Sequence, residues 1–338
     1  MKGLLLIFSI AVALVSCDNS AIKLKERIAK GNVVLGGTLR LAESEKPVSF
    51  LPESLNTAAA QRIGNQMHCS LLRLDAQSLS PMPAIAERVE PDTSGRVYLF
   101  HIRQGVLFHN NPFFEKTSRE VTAQDVVFSF QKICAANSPA FESTFKGRVV
   151  GADAYHEGTE TSISGIQVLD DYTLSITLLK PDESFLFVLA QPSTAIISEK
   201  AWNNDEQQVV GAGPFVPTQS TSDFVLVRNS DYFQADEMGN QLPYLDSLIF
   251  KFIPSKETTL EEVMKGKLDL VTGIYLDPMK HLLEQHGEEF KGKEPRLVLQ
   301  RNDDAASFEV YAIHASKLLG FRENFLGYRD FSVVQMKH

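Results

Sequence analysis

The chain has 338 residues, of which 43% are hydrophobic and 22% charged, with a formal net charge of −9 and an isoelectric point near 5.5. This length fits one large domain or two ordinary ones, and the composition is that of a folded globular protein. A protein that binds nucleic acid without regard to sequence needs a basic surface against the phosphates. No basic stripe interrupts this acidic chain, so nucleic acid is excluded as a partner of that kind.

The first 17 residues have the organisation of a secretion signal. Lys2 supplies a positive charge, residues 4–14 are apolar, and Leu14–Cys17 offers a small-residue cleavage site. This last quartet resembles the bacterial lipobox, which implies cleavage before Cys17, a lipid on its thiol, and a protein anchored to the cell membrane and facing the periplasm or cell exterior. An ordinary signal peptide or a short membrane anchor are the alternatives. The apolar run is shorter than the roughly 20 residues of a membrane-spanning helix.

The next segment predicts a transition from tether to folded body. Residues 18–35 are polar and charged and predict a tether, and the folded body is expected over residues 36–338. Gly36–Leu41 predicts a turn followed by a strand. Ala58–Leu74 has the spacing of a helix with one apolar face. The residues of this face, interpreted as core, are Ile63, Met67, Leu71 and Leu74.

Short strands and helices are predicted through the middle of the chain. Val97–Ile102 alternates in the manner of a half-buried strand. Thr122–Asp125 is typical of a helix start, because it places a capping hydroxyl before an acid in the first turn. Ile166–Leu178 predicts a hairpin that turns at Asp170 and Asp171. These elements indicate a mixed α/β body.

The remaining elements continue this mixture without an internal repeat. In chain order they are a short helix at Phe185–Ala190, a buried strand at Ala195–Ile197, a tight turn at Gly211–Phe215, strands at Phe224–Arg228, Leu248–Ile253 and Leu268–Val271, and a helix opened by Thr258 and ended by Gly266. Cys69 and Cys134 lie among apolar residues and predict free buried thiols, although an oxidising compartment would also permit a disulfide.

Several segments, in this order, resemble family 5 of the bacterial extracellular solute-binding proteins, which capture peptides and some nickel or haem ligands for ABC importers. The segments are Gly36–Arg40, Leu71–Asp75, Pro81–Glu87, Tyr98–Phe108, Thr122–Phe130, Gly211–Phe215, Asn229–Phe233, Leu260–Leu270, Tyr311–Leu319 and Gly327–Tyr328. The resemblance implies an α/β, type II periplasmic-binding-protein-like lobe with mixed β-sheets flanked by helices. It also implies a peptide ligand, permease subunits as membrane partners, and no catalysis.

One departure from the family pattern concerns its second lobe. Only Gly273–Phe308 separates the last two groups of matching segments, where the family has a long segment that closes over the ligand. The resemblance therefore implies an amino-terminal lobe plus a carboxy-terminal return strand, with the second lobe largely missing. A truncated, non-transporting surface lipoprotein that acts as a protein-interaction or residual module is the alternative function.

The candidate ligand surface is the face that the second lobe would cover. Its candidate residues are Glu43, Ser44, Glu45 and Pro47 after the first strand, Gly211, Gly213 and Phe215 in the tight turn, and Tyr275 at the exit. The alternatives are a solvated acidic loop for the first group and a structural bend for the second. An exposed apolar face would also favour a homodimer or a complex with a full-length homologue.

Catalytic and metal-binding motifs do not emerge from the sequence. His101 and His109 have no H-E-x-x-H helix or C-x-x-C pair beside them, so no metal site is expected. The Gly211 turn lacks the third glycine of a dinucleotide loop, and Pro214 removes an amide that a phosphate would need. We therefore expect neither a cofactor nor catalytic residues.

Overall fold

The structure is a computed structural model with side chains. It describes residues 27–75, 78–204, 209–219, 223–275, 280, 283–285, 287–291, 297–301, 307–312 and 331–335. The candidate lipid-bearing Cys17 lies outside these residues.

The described elements are fifteen strands and seven α-helices, connected in part by short 3-10 helices. The strands are β1 Arg27–Ile28, β2 Val34–Leu35, β3 Thr38–Glu43, β4 Leu72–Leu74, β5 Pro81–Pro83, β6 Ala86–Pro91, β7 Val97–Ile102, β8 Ile166–Asp170, β9 Thr173–Thr177, β10 Phe215–Pro217, β11 Phe224–Arg228, β12 Ser247–Phe252, β13 Leu270–Tyr275, β14 Leu297–Arg301 and β15 Ser307–Ala312. The helices are α1 Ala58–Met67, α2 Ala123–Ile133, α3 Phe141–Thr144, α4 Ala152–His156, α5 Phe185–Val188, α6 Glu199–Asn204 and α7 Lys256–Met264.

Two four-stranded sheets form most of the body. The first has the strand order β10-β11-β12-β3, with β12 parallel to β3 and the other pairs antiparallel. The second has the order β6-β7-β9-β8 and is antiparallel throughout. Each sheet covers its own hydrophobic core, the first together with α1 and the second together with α2.

The alternating strand and the hairpin in the second sheet confirm their predictions. Tyr98, Phe100 and Ile102 of β7 all face the core. Leu174 and Ile176 of β9 are fully buried beside them. The alternation of apolar residues therefore gave the correct face as well as the correct element.

The start of α2 confirms the predicted cap. The Asp125 carboxylate accepts hydrogen bonds of 2.9 Å from both the backbone amide and the hydroxyl of Thr122. Its other oxygen accepts from the amide of Glu199, at 3.1 Å, where α6 begins. One buried carboxylate thus holds two helix starts together.

The helix predicted over Ala58–Leu74 ends earlier than the helical spacing of its apolar residues indicates. Thr57 caps α1 and the helix ends at Met67, after which His68 adopts an extended conformation. Leu72–Leu74 instead pairs with Pro81–Pro83 as a two-stranded sheet. Leu71 and Leu74 are buried as expected, but outside the helix.

Three other boundaries differ from their predictions. Ala195–Ile197 is buried but is not one of the described strands: the Ile196 amide donates to the Cys69 carbonyl oxygen and the Ile197 amide donates to the Ser129 hydroxyl. The helix predicted to open at Thr258 begins at Lys256, because Ser255 is its cap. Arg27–Leu35 forms a hairpin rather than a tether, and Val33 packs against Tyr232 and Tyr244. The folded body therefore begins before residue 36.

The described residues near the carboxy terminus lie in two separate parts of the fold. The closing strand predicted at Tyr311–Leu319 overlaps the described residues only at Tyr311 and Ala312, which end β15, the central strand of a three-stranded sheet ordered β13-β15-β14. Residues 331–335 do return to the first sheet, where Val334 is fully buried and the Gln335 side chain accepts from the Val34 amide at 2.9 Å. Gly327 and Tyr328 lie outside the described residues.

The strand β13 is anchored to the first sheet by a buried carboxylate. Asp269 is 0% exposed and its side chain accepts hydrogen bonds from the Arg40 amide at 2.6 Å and from the Arg40 guanidinium at 2.7 Å. The Asp269 amide in turn donates to the Arg40 carbonyl at 2.9 Å. These bonds fix the start of β13 beside the middle of β3.

Candidate functional site

The parallel strands β3 and β12 end beside each other, where Glu43 is in register with Phe252. In open α/β sheets, ligands bind outside the carboxyl ends of the strands. The segment from Ser44 to Phe50 leaves the first sheet at this edge. This segment is therefore the candidate ligand surface.

Glu43 itself is not available to a ligand. Its side chain is 7% exposed and forms a two-point ion pair with Arg62 of α1, with distances of 2.8 and 2.5 Å. A bidentate arginine–carboxylate pair fixes geometry as well as charge. Glu43 therefore attaches α1 to the end of β3.

The residues that follow Glu43 form the accessible part of this edge. Ser44, Glu45 and Lys46 are exposed, Pro47 is buried, and Val48 is fully exposed at 106%. We call Ser44–Lys46 together with Val48 the β3 loop surface. It offers a hydroxyl, a carboxylate, an ammonium group and one apolar side chain to a ligand.

Phe50 closes the β3 loop on the body of the protein. Its ring stacks on Phe224 of β11 with centroids 4.6 Å apart. Its carbonyl oxygen accepts a 2.8 Å hydrogen bond from Nε2 of His68. The loop surface is thus exposed at its tip and fixed where it rejoins the core.

The Gly211–Phe215 turn is a packing feature in this structure. Phe215 is 0% exposed, and Gly211 and Gly213 are buried. A Cβ atom added to Gly213 would lie 2.4 Å from the carbonyl carbon of Met67, and one on Gly211 would lie 2.3 Å from the Met67 oxygen. The glycines are required by the close approach of the end of α1.

Two buried histidines flank this turn. His109 donates from its amide to the Gly211 oxygen at 2.8 Å, and its Nε2 lies 3.0 Å from the Gly213 oxygen. Burial lowers the pKa of both His68 and His109 to about 4. Both rings are therefore neutral at physiological pH and serve as hydrogen-bond donors.

The structure does not bring the two predicted groups of site residues together. Phe215 of β10 pairs with Arg228 of β11. The Arg228 amide donates a hydrogen bond to the carbonyl oxygen of Asp246, just before β12 begins. Glu43 lies at the other end of β12, beside Phe252. The turn and the β3 loop surface thus occupy opposite ends of the first sheet. The backbone of Tyr275 opposes Ser307 in the three-stranded sheet, and its side chain lies outside what is described.

Sequence reasoning missed the residues that support the β3 loop. Arg62, Phe50 and His68 hold it in place, and each acts through a partner distant in the chain. No local pattern identifies such partners.

Among the described residues, no group of three or more His, Cys, Asp or Glu side chains could hold a metal ion. Within the same residues, no helix combines the length and apolar character needed to cross a membrane.

The architecture is that of a type II periplasmic binding protein. The structure of DppA from Helicobacter pylori, an ABC transporter-associated periplasmic binding protein in complex with the peptide STSA, superimposes with a TM-score of 0.63 at 25% identity. The match covers 79% of this chain and 51% of that one. The fold is thus shared with about half of a larger protein.

The family model of the bacterial extracellular solute-binding proteins, family 5 Middle, matches residues 80–316, and the chain belongs to this family. Heme-binding protein A of Haemophilus influenzae is 27% identical over 85% of this chain and 54% of its own length. The dipeptide-binding protein of Escherichia coli is 26% identical over 69% of this chain and 44% of its own length. The chain therefore spans about half the length of the relatives it matches.

Proposed function

We propose that this protein captures peptides for an ABC importer, without catalysis, and that the β3 loop surface contacts the ligand. The observation that carries the proposal is the exposed Ser44–Lys46 segment at the carboxyl edge of the first sheet in a member of this family. Family relatives include di- and tripeptide-binding proteins, which supports peptides as the ligand class.

The chemistry of this surface suits a peptide with charged ends. Glu45 can pair with a peptide ammonium group and Lys46 with a carboxylate, while Val48 offers apolar contact to a side chain. Ligand pockets normally bury about 70–90% of a small ligand. A single lobe covers one side only, so we expect weaker binding than in two-lobed proteins.

We further propose a lipid anchor at Cys17 and permease subunits as the membrane partners. The lipobox-like Leu14–Cys17 supports the anchor. Mass spectrometry of the protein from a bacterial membrane fraction would show an acylated amino-terminal cysteine. A Cys17→Ala variant should leave the membrane fraction, and its retention there would contradict the anchor.

The capture proposal is tested by isothermal titration of the purified chain with di- to pentapeptides, beside a two-lobed relative as positive control. We expect saturable heat at micromolar to millimolar peptide. Glu45→Lys should weaken binding about fivefold, since it reverses the charge offered to the ammonium group. Glu160→Lys, an equally exposed reversal far along the chain, should not change it.

The same experiment separates this proposal from its alternative. No heat from a cooperatively melting protein would overturn peptide capture and favour a protein-interaction module. Adding haemin in a parallel titration tests the ligand class named for the Haemophilus relative. Sedimentation of the same sample tests pairing with a second copy or a full-length homologue, which a monomeric mass at all concentrations would exclude.

A further inference from the structure

A second polar site lies at one end of the β6-β7-β9-β8 sheet, whereas the β3 loop surface belongs to the other four-stranded sheet. Here one residue of each strand stands in register: Arg88, His101, Thr173 and Asp170. Residues directly opposite in antiparallel strands share a face of the sheet. The Arg88 guanidinium accordingly lies 3.1 Å from Nε2 of His101. The row crosses the whole sheet on its outer face.

Both edge strands are irregular at this row. The register of β6 shifts between Ala86 and Arg88, and that of β8 shifts between Val168 and Asp170. Glu87 and Leu169 are the extra residues. A β-bulge re-aims side chains and is over-represented beside binding and active sites. Two bulges at the same end of one sheet therefore shape this end locally.

The row and the bulges border an open cavity of about 750 Å³. Its lining includes Glu87, His101, Arg103, Asp170, Tyr172 and Phe233. Phe233 comes from the segment after β11 and supplies an aromatic wall. Ligand cavities in proteins typically measure about 300–1,000 Å³, so this one is large enough for a small molecule.

The charges that line the cavity are not neutralised by each other. The Arg103 guanidinium carbon lies 5.9 Å from the centroid of the Phe233 ring, and its Nε is buried without a hydrogen-bond partner. Within the described part of the chain, neither Arg103 nor Glu87 forms an ion pair. By contrast, Arg119 and Arg148 are each paired with an aspartate. The cavity therefore presents a cation and a carboxylate that a ligand could pair separately.

We propose that this cavity is a second ligand site, for a small zwitterion of amino-acid or dipeptide size. Its carboxylate binds Arg103, and its ammonium group binds Glu87 and Asp170. A simple anion is disfavoured because Glu87 and Asp170 line the same cavity as Arg103, and a simple cation is disfavoured by Arg103 itself. The site is built from the described lobe alone, so it needs no second lobe, and it does not rest on peptide capture at the β3 loop surface.

The test is isothermal titration of the purified full-length chain with L-serine and with glycylglycine. 3-Hydroxypropanoate and ethanolamine serve as matched probes that keep the carboxylate or the amine of serine alone. We expect one-to-one saturable binding of L-serine, at least about tenfold weaker binding of both single-charge probes, and binding of glycylglycine to the cavity in addition to the β3 loop surface. Equal binding of either single-charge probe would overturn the proposal.

Two variants locate the binding. Glu87→Gln is isosteric at an exposed position, and Arg103→Met keeps the apolar stem against Phe233. Each should weaken zwitterion binding about tenfold without changing the unfolding midpoint. Glu160→Gln is the control and should have no effect.

Binding that neither cavity variant weakens, or no binding by any probe, would overturn the site. Because Glu45→Lys affects only the β3 loop surface, its titration with the same probes separates failure at the cavity from failure of the proposed peptide capture. Zwitterion binding that Glu45→Lys abolishes and Arg103→Met leaves intact would assign the probe to the loop surface and reject the cavity.

Discussion

Nε2 of His109 donates a 3.0 Å hydrogen bond to the carbonyl oxygen of Gly213, which also accepts 2.9 Å from the side chain of Asn229. This contact joins the segment after β7 in the second sheet to the turn that enters the first. His68 lies on the other side of the same turn, at the end of α1. The junction of the two sheets therefore depends on two neutral, buried imidazoles.

This junction predicts acid sensitivity. Burial holds the pKa of His68 and of His109 near 4, below the ordinary value of 6.5. The unfolded chain therefore binds more protons than the folded one as the pH falls from about 6.5 towards about 4. The contribution of the two neutral histidines to the free energy of unfolding is fully present above this pH window. It is lost on acidification, by about 2 kcal/mol per histidine at about pH 5.

Urea unfolding at about pH 7 and about pH 5 measures this loss. His109→Gln keeps a donor for Gly213 but cannot titrate, so its stability should fall less between the two conditions. The matched control is His101→Gln, which replaces a partly buried histidine on β7. An unchanged pH dependence in His109→Gln would contradict the role of the buried ring.

The glycine turn predicts a large effect from one methyl group. Gly213→Ala places a Cβ atom 2.4 Å from the Met67 carbonyl carbon, where backbone on both sides must move. Overpacking of this kind costs about 3 kcal/mol. Gly287→Ala meets nothing within 4 Å and should change the unfolding free energy by less than about 0.5 kcal/mol. Equal urea midpoints for the two variants would show that the turn yields without strain.

The anchor of β13 predicts a buried ion-pair effect. Asp269→Ala leaves the Arg40 amide and guanidinium without their acceptor and should destabilise the fold by about 3 kcal/mol. It should also speed amide hydrogen exchange in β13. Glu142→Ala removes a surface pair with Lys146 and should cost less than about 0.5 kcal/mol. Slow exchange in β13 of Asp269→Ala would show that the anchor is dispensable.

The two described cysteines predict slow thiol chemistry. Cys69 and Cys134 are buried and not disulfide-bonded, and burial raises the pKa of Cys134 to about 12. The thiolate is the reactive form, so both should resist a disulfide reagent in the folded protein and react once it is unfolded. Absorbance of the released thiol over time measures this. Rapid labelling without denaturant would contradict the burial of these groups.

Local patterns predicted the elements whose contacts are local. The alternation of Val97–Ile102 gave the buried face of β7, and Thr122 with Asp125 gave the start of α2. The end of α1 was not predictable, because Leu71 and Leu74 continue its helical spacing. What stops the helix at Met67 is the approach of Gly213 from far along the chain.

In the candidate site, too, some features follow from the local sequence and others depend on partners that are distant in the chain. The exposure of Ser44 and Glu45 follows from a polar run after a strand. The burial of Glu43 does not, because it depends on Arg62 from another element. The family resemblance groups the Gly211 turn with this loop, on the face that the second lobe would cover, whereas the strand register places the turn at the opposite end of the first sheet.

The hydrogen bond from the Val34 amide to the Gln335 side chain fixes the β1–β2 hairpin to the segment that returns to the first sheet. Leu35 pairs with Arg27, and both lie just ahead of Thr38, where β3 enters its sheet. The β3 loop surface begins at the other end of that strand, about 17 Å away. A membrane attachment made ahead of Arg27 would therefore join the lobe at the end of the first sheet that is opposite the β3 loop surface.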